Sequence, residues 1–205
     1  MVIDPLSMDF RELHHLLAGA IVPRPIAMVS TLGENGVKNV APLSSISIAS
    51  VMPPVLSFSI STRRRQQGEK KDTLRNIEFR KEFVVNVPVP ESMAAAMNLA
   101  SGEFPGDVSE FDKSGLTPIN ATLVNAPMVL EAPVNFECKL LQIIEFGEHP
   151  SVSSLVLGQV VKVHVKDEFF QNGELQPSLM KPIGRLLEPY CRTSDIFDIK
   201  VEYTL

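Results

Sequence analysis

Apolar and polar side chains alternate strictly in the stretch Val134-Asn-Phe-Glu-Cys-Lys-Leu140. The same alternation returns over Leu155 to Val165, a run long enough to cross the wall of a barrel. Alternation with a period of two is typical of antiparallel strands that bury one face. The second half of the chain is therefore predicted to be mostly strand.

Shorter patterns on either side predict further strands and a few helices. Strands are expected at Ile26 to Thr31, Val37 to Ala41, Val55 to Ile60 and Phe83 to Val87. The turn Glu34-Asn-Gly36 favours a hairpin between the first two strands. A first helix is expected at Ser7 to Leu17, with a capping box of Asp9 and Glu12 and an end at Gly19. A second helix is expected at Asp72 to Lys81, with Asp72 as its N-cap, and a third at Glu91 to Ala100.

The order of these elements indicates the fold class. Roughly six to eight strands and two or three helices are not regularly interleaved, which disfavours a doubly wound parallel sheet. A closed or partly closed antiparallel barrel with peripheral helices fits the order best. The expectation is a mainly β protein whose residues 1–205 form one domain.

Composition excludes several classes of protein. The chain has 205 residues and a net charge of −5, which argues against a dedicated nucleic-acid binder. No apolar run approaches the ~18 residues of a membrane span, and the N-terminus has no basic region of a secretory signal. Cys138 and Cys191 have no CxxC spacing, so a reduced, cytoplasmic setting is expected.

Familiar catalytic motifs are missing from the sequence. There is no GxGxxG, no GxxxxGK[ST] and no HExxH, and the four histidines show no metal-ligand spacing, so no metal site is predicted. His14 and His15 are interpreted as surface residues of the first helix. Ser178 and Lys181 match SxxK, but their partner motifs are absent.

One basic segment predicts a phosphate site. It runs Ser59-Ile-Ser-Thr-Arg-Arg-Arg-Gln-Gln-Gly-Glu-Lys-Lys-Asp-Thr73, from a strand end through a loop with five cations to a helix start. Unpaired N–H groups and the positive dipole end of a helix bind phosphate, and hydroxyls and cations add to that binding. The alternative is a solvated basic loop with an ordinary N-cap.

A second candidate segment is rich in small polar residues. Asn39-Val-Ala-Pro-Leu-Ser-Ser-Ile-Ser47 offers hydroxyl and backbone groups that could approach a flat, hydrogen-bonding ring. The alternative is a serine-rich turn.

Together these segments resemble the flavin reductase-like family of FMN-binding split β-barrels, which includes flavoredoxin-like proteins. The resemblance covers most of the chain in the family's order. It is carried by Pro23–Thr31, Asn39–Ser44, Pro53–Ser59, Lys71–Ile77, Glu82–Asn86, Leu157–His164 and Pro182–Leu186.

The resemblance implies a homodimer with FMN near the subunit interface, and it assigns roles to residues. Those implied at the phosphate are Ser61, Lys71 and Thr73, with Asp72 capping the helix. Those implied along the isoalloxazine are Asn39, Ser44, Ser45 and Ser47. Those implied near the ring or ribityl chain are Ser30 and Thr31. Those implied on the exposed flavin face are His164 and Tyr190, although a solvent-facing strand histidine is an equal reading of His164.

The chain departs from the family's pattern in two places. Leu43, Ser45 and Ile46 stand where an aromatic pair is common, and Leu187-Glu188 replaces glycines after Leu186. The triple arginine is also richer than a monophosphate requires, so Arg64 is a candidate for binding the phosphate of a nicotinamide dinucleotide.

The function expected is that of an FMN-dependent oxidoreductase that accepts a hydride from NADH or NADPH. Flavin chemistry needs orientation more than an acid–base residue, which agrees with the lack of a catalytic constellation. Two alternatives stay open: an FMN-binding electron carrier or flavin store, and an oxidase of another phosphorylated heterocycle similar to the pyridoxamine-phosphate oxidases.

Overall fold

The computed structural model describes residues 1–62 and 68–197, and most of its regular structure is strand. The strands are β1 Ala27–Leu32, β2 Lys38–Leu43, β3 Ser47–Ser50, β4 Val55–Ser61, β5 Glu82–Val87, β6 Pro118–Ile119, β7 Met128–Val129, β8 Val134–Phe146, β9 Ser153–Val165, β10 Phe170–Gln171, β11 Glu174–Leu175, β12 Ile183–Arg185 and β13 Tyr190–Arg192. The helices are α1 Phe10–Ala20, α2 Asp72–Arg80, α3 Ala94–Ala100, α4 Glu110–Ser114 and α5 Pro177–Met180, with 3-10 turns at Pro5–Ser7, Glu91–Met93 and Asp167–Phe169.

One antiparallel sheet of seven strands forms the centre of the fold, in the order β2-β1-β5-β8-β9-β4-β3. Its two longest strands, β8 and β9, have 13 residues each and are the two stretches in which side chains alternate. The mainly β, antiparallel fold with peripheral helices is therefore confirmed.

The sheet has to curl because its two edge strands are consecutive in the chain. Residues 44–46 alone connect β2 to β3. Four residue steps span at most ~14 Å, whereas a flat seven-stranded sheet would separate its edges by ~29 Å. Within the described residues no hydrogen-bonded ladder joins β2 to β3, so the sheet curls without closing into a barrel.

The curled sheet is packed on both faces. On one face the rings of Phe58 and Phe83 meet edge to face at 5.3 Å, and Leu74 and Ile77 of α2 pack beside them. On the other face α3 and α4 cover Met28 and its neighbours. β1 is consequently buried on both faces, which explains why the alternation is lost there.

The helices follow the sequence patterns, with corrections at their ends. The Asp9–Glu12 capping box at the start of α1 is confirmed, but Gly19 does not end that helix, which continues to Ala20. Asp72 was expected as an N-cap; Lys71 holds that position instead. Asp72 is the first helical residue, and its carboxylate pairs with Arg75. None of the helices in residues 1–62 and 68–197 combines the length and the apolar character needed to cross a membrane.

Candidate functional site

A cleft of about 500 Å³ opens where β2, the start of α2, the α3–α4 pair and the β12–β13 hairpin meet. The polar and charged residues of its lining are Asn39, Ser44, Lys71, Asp72, Thr73, Asn98, Ser101, Glu103, Glu110, Arg185, Glu188 and Tyr190. Its apolar lining includes Ile26, Ala41, Pro42, Leu43 and Met97. A concave site of this size with a few converging polar groups is the usual form of a small-molecule site.

Asn39 connects the cleft wall to the sheet. Its side chain is buried, and Oδ1 accepts hydrogen bonds from Thr73 Oγ1 at 2.9 Å and from Thr31 Oγ1 at 3.2 Å. Thr31 in turn accepts a hydrogen bond from Asn76 Nδ2 at 2.9 Å. These contacts hold the first turns of α2 against β1 and β2, so the helix start has a defined position in the cleft.

The N-terminus of α2 has the character of an anion site. Among the described residues no side-chain hydrogen bond caps this end, and Lys71, Asp72 and Thr73 all line the cleft. The first N–H groups of a helix have no partner within the helix and carry its positive dipole end. An anion here would meet these N–H groups and the Lys71 ammonium together.

Glu110 is a buried acidic residue of the cleft wall. It is the first residue of α4 and is 6% exposed. Burial raises the pKa of Glu110, and Asp72 raises it further, against hydrogen bonds from its own N–H, Asn39 and Val40. Its Oε2 atom is buried without a hydrogen-bond partner in the described part of the chain.

Comparison with known proteins identifies the family. The model of the flavin reductase like domain matches residues 18–180. The chain belongs to this family. The structure is similar to nitrilotriacetate monooxygenase component B from Bacillus cereus, with a TM-score of 0.91, 34% identity and coverage of 97% and 98% of the two chains.

Two further solved structures agree with this result. For 2-nitrobenzoate 2-nitroreductase NbaA from Pseudomonas fluorescens, the TM-score is 0.87 at 31% identity, with 100% and 98% of the chains covered. A protein with a split barrel domain from Shewanella frigidimarina shares the fold, with a TM-score of 0.81 at 20% identity and coverage of 98% and 100%. The expected flavin reductase-like family is thus confirmed, and it indicates a flavin-linked oxidoreductase.

The structure brings part of the residue set implied by the family resemblance together. Those that line the cleft are Asn39, Ser44, Lys71, Asp72, Thr73 and Tyr190. They come from three separate parts of the chain, which only the curled sheet places side by side. Arg64 lies outside the described residues.

Other implied residues lie outside the cleft lining and have protein partners. Ser30 is buried, where it donates to the Pro127 carbonyl at 2.5 Å and accepts from Asn86. Ser45 both accepts from the Ser59 N–H and donates to its carbonyl. The remaining three also lie outside the lining. Thr31 hydrogen-bonds to Asn39, Ser47 is on the edge strand β3, and the Ser61 hydroxyl lies beside that of Ser153.

His164 belongs to a different polar cluster, beside a buried carboxylate on β8. Its Nε2 lies 2.5 Å from Glu137 Oε1. Glu137 is fully buried, and its oxygens accept backbone N–H groups of Thr122, Leu123 and Val124. This arrangement anchors the segment 122–124 to the sheet and gives His164 a structural partner.

Some cleft residues were not singled out from the sequence. Arg185 lay within a family-like segment but had no assigned role, and Glu110 had no signal beyond its place at a short helix start. The α3 side contributes Asn98 and Ser101. These residues are far apart in sequence, so no local pattern groups them.

The two cysteines lie apart from this chemistry. Both are free thiols; Cys138 is buried and Cys191 is partly buried. Burial, and to a lesser extent Glu137, raises the pKa of Cys138 to about 12, so its thiol stays protonated. Among residues 1–62 and 68–197, no three His, Cys, Asp or Glu side chains form a metal-binding group.

Proposed function

We propose that the protein is an FMN-dependent oxidoreductase that takes electrons from NADH or NADPH, with the cleft as its flavin site. The observation that carries the proposal is the start of α2, which no side-chain hydrogen bond caps among the described residues. With Lys71 beside it, this helix start opens into a cleft that also has apolar residues in its lining. Family membership supports a flavin. Two of the similar structures, at 34% and 31% identity, are by name a monooxygenase component and a nitroreductase, both redox proteins.

The residues present fit the parts of FMN. The phosphate would meet Lys71 and the first N–H groups of α2. The ring would lie against Ala41, Pro42 and Leu43, with Ser44 supplying hydrogen bonds at its edge. The Thr73 hydroxyl already donates to Asn39, so we assign Thr73 to the phosphate through its backbone N–H and to positioning through its side chain.

A monophosphate suits this cleft better than a dinucleotide. A single helix N-terminus accommodates one terminal phosphate. A pyrophosphate with its adenosine needs a glycine-rich turn and a longer groove, and the sequence has no GxGxxG. FMN is accordingly the proposed cofactor, ahead of FAD.

When bound, the flavin would supply the hydride and electron chemistry. The chain's own residues would bind the flavin and orient it. The Asn39 network keeps the helix start in place, and the apolar wall excludes water from one side of the site. Arg185 and Tyr190 of the β12–β13 hairpin line the same cleft, where the guanidinium would attract the phosphates of a nicotinamide donor.

We further propose that the active protein is a homodimer in the cytoplasm. The edge strand β3 and the turn after it expose Ile48, Val51 and Met52. An exposed apolar edge strand is prone to pair with another chain, and a second copy would cover it. The free thiols suit a reducing compartment.

The test of the proposed function is extraction and identification of the cofactor, followed by anaerobic mixing with NADH and NADPH. Bound FMN whose absorbance bleaches with either nucleotide is the expected result. Bound FMN that neither nucleotide bleaches would instead favour an electron carrier or flavin store. A different phosphorylated heterocycle in the extract would favour an oxidase.

A further inference from the structure

One carboxyl group in the cleft wall is not used by the flavin contacts proposed above. Glu110 is more than nine-tenths buried and lines the cleft together with Lys71 and Thr73. Its Oε2 atom has no hydrogen-bond partner among the described residues. An ionised carboxylate with an unpartnered, buried oxygen is costly, so the wall favours the neutral acid.

Glu110 lies beside the start of α2. A small pocket next to the cleft is lined by Glu110, Asn39 and Asp72 together. The Asn39 Oδ1 atom also accepts the Thr73 hydroxyl at 2.9 Å. Glu110 therefore borders the end of the cleft at which we place the phosphate.

We propose that Glu110 is a charge-sensitive residue of that end of the cleft. As a neutral acid it admits a phosphate monoester; once ionised it weakens binding of the same anion. This inference rests on the proposed flavin site. In this role, the protonation state of Glu110 determines how much negative charge on a ligand the site accepts at a given pH.

The charged groups around Glu110 agree with this role. Lys71 lies just before α2. Asp72, the first residue of α2, is the charge that acts on Glu110 and favours its neutral form. β2 brings Lys38, and Glu103 lines the same cleft. α3 carries no titratable side chain, and α4 itself adds only the exposed Asp112 and Lys113.

Linkage gives the size of the effect. An anion that disfavours the ionised form raises the pKa of Glu110 on binding, and the same factor reduces the affinity for the anion at high pH. A rise of one pKa unit corresponds to about a tenfold loss of affinity. The affinities are therefore compared from about pH 4.5 to 8.5, a range that begins near the ordinary value for a glutamate and extends in the direction in which the pKa of Glu110 is raised.

The experiment uses two ligands whose own charge does not change. Riboflavin 5′-sulfate carries one permanent negative charge, and riboflavin carries none on its side chain. Dissociation constants from flavin fluorescence are measured across that pH range for the wild type, for Glu110→Gln and for the control Asp112→Asn on the same helix. We expect the sulfate ester, relative to riboflavin, to lose about tenfold in affinity on wild type and on the control, and to lose none on Glu110→Gln.

Two results would overturn the inference. In one, the sulfate ester and riboflavin have the same pH profile on wild type, a comparison that stands even where the glutamine variant fails to fold. In the other, Glu110→Gln keeps the wild-type profile, which would leave Glu110 as a wall residue satisfied by water in the small side pocket it shares with Asn35 and Asn76. Failure of every flavin to bind would overturn the proposed function as well, whereas pH-independent binding of the ester would overturn this inference alone.

Discussion

At the scale of single residues, the cleft depends on polar side chains that are buried and partnered. Asn39 accepts two hydroxyls and so determines where the first turn of α2 lies. Lys71, one residue before that helix, lies in the wall at the point where the helix dipole is positive. Asn39 thus positions the start of the helix, whereas Lys71 is the residue proposed to bind the phosphate.

The proposed phosphate contact predicts a ligand-selective effect of Lys71→Ala. A charge-assisted hydrogen bond contributes roughly 1.5–3 kcal/mol, so FMN affinity should fall about ten- to a hundredfold, while riboflavin affinity changes little. Titration calorimetry or flavin fluorescence with both ligands measures this. Lys139→Ala, an exposed lysine on β8, is the matched control. Equal losses for FMN and riboflavin would contradict the phosphate assignment.

The buried Glu137 predicts acid sensitivity of the fold. Burial alone would raise the pKa of Glu137, but hydrogen bonds from His164, Thr122 and Leu123 hold it below its usual value. A carboxylate with a lowered pKa stabilises the fold above the unfolded value of about 4.3, and that contribution is lost as the pH falls through the folded value.

Glu137→Gln should therefore lower the unfolding free energy at neutral pH by about 1.5–3 kcal/mol. It should also flatten the decline in stability below about pH 4.3. Urea unfolding at several pH values measures both effects, with the exposed Glu168→Gln as control. An undiminished acid decline in Glu137→Gln would show that other carboxylates cause it.

At the scale of elements, the long strand β9 makes room for the core with a glycine. A Cβ atom at Gly158 would lie 2.2 Å from Phe83 Cζ. Phe83 is fully buried and packs edge to face on Phe58, so the ring has little space to move. The close approach of strand and ring requires the missing side chain.

Gly158→Ala is expected to destabilise the protein by about 1–3 kcal/mol, the usual cost of overpacking a core. The matched control is Gly19→Ala on α1, where no atom lies within 4 Å of the added Cβ. That change should stabilise the helix by up to ~1 kcal/mol, since alanine is favoured over glycine inside helices. Chemical denaturation of both variants checks that the unfolding free energy falls in Gly158→Ala and rises in Gly19→Ala. Rescue of Gly158→Ala by Phe83→Leu would confirm the clash.

At the scale of the whole molecule, the short connection from β2 to β3 forces the sheet to curl and leaves β3 as an edge strand. The curl brings β2 to the start of α2 and creates the cleft. The same topology leaves Ile48, Val51 and Met52 exposed at that edge. The site and the apolar edge are two consequences of one feature of the topology.

The apolar edge predicts a dimer that a charge would disrupt. Sedimentation at micromolar protein should give about twice the monomer mass for wild type. Ile48→Glu and Met52→Glu should shift the protein toward the monomer, because a charge buried in an interface is costly. FMN binding should weaken as the dimer is lost, since the family resemblance implies a flavin near the subunit interface. Phe170→Glu, on the separate β10–β11 hairpin, should leave the dimer intact. A monomeric wild type that still binds FMN tightly would contradict the proposed interface.

Local patterns in the sequence were sufficient to predict most of the main strands and helices. Alternation located β8 and β9, and Asp9 with Glu12 located the start of α1, because these signals depend on neighbours within a few residues. Lys71 and Asn39 were candidates for the same reason: each lies in a short segment with a recognisable chemistry. The ends of elements were less certain, as Asp72 and Gly19 show.

Tertiary structure decided which candidates share a site. Ser30 and His164 face partners elsewhere, whereas Glu110 and Arg185 reach the cleft from segments with no motif of their own. The physical reason is that long-range packing determines which face of each strand is buried. Only the curl of the sheet, imposed by a connection of three residues, brings β2, α2, α4 and the last hairpin around one cleft.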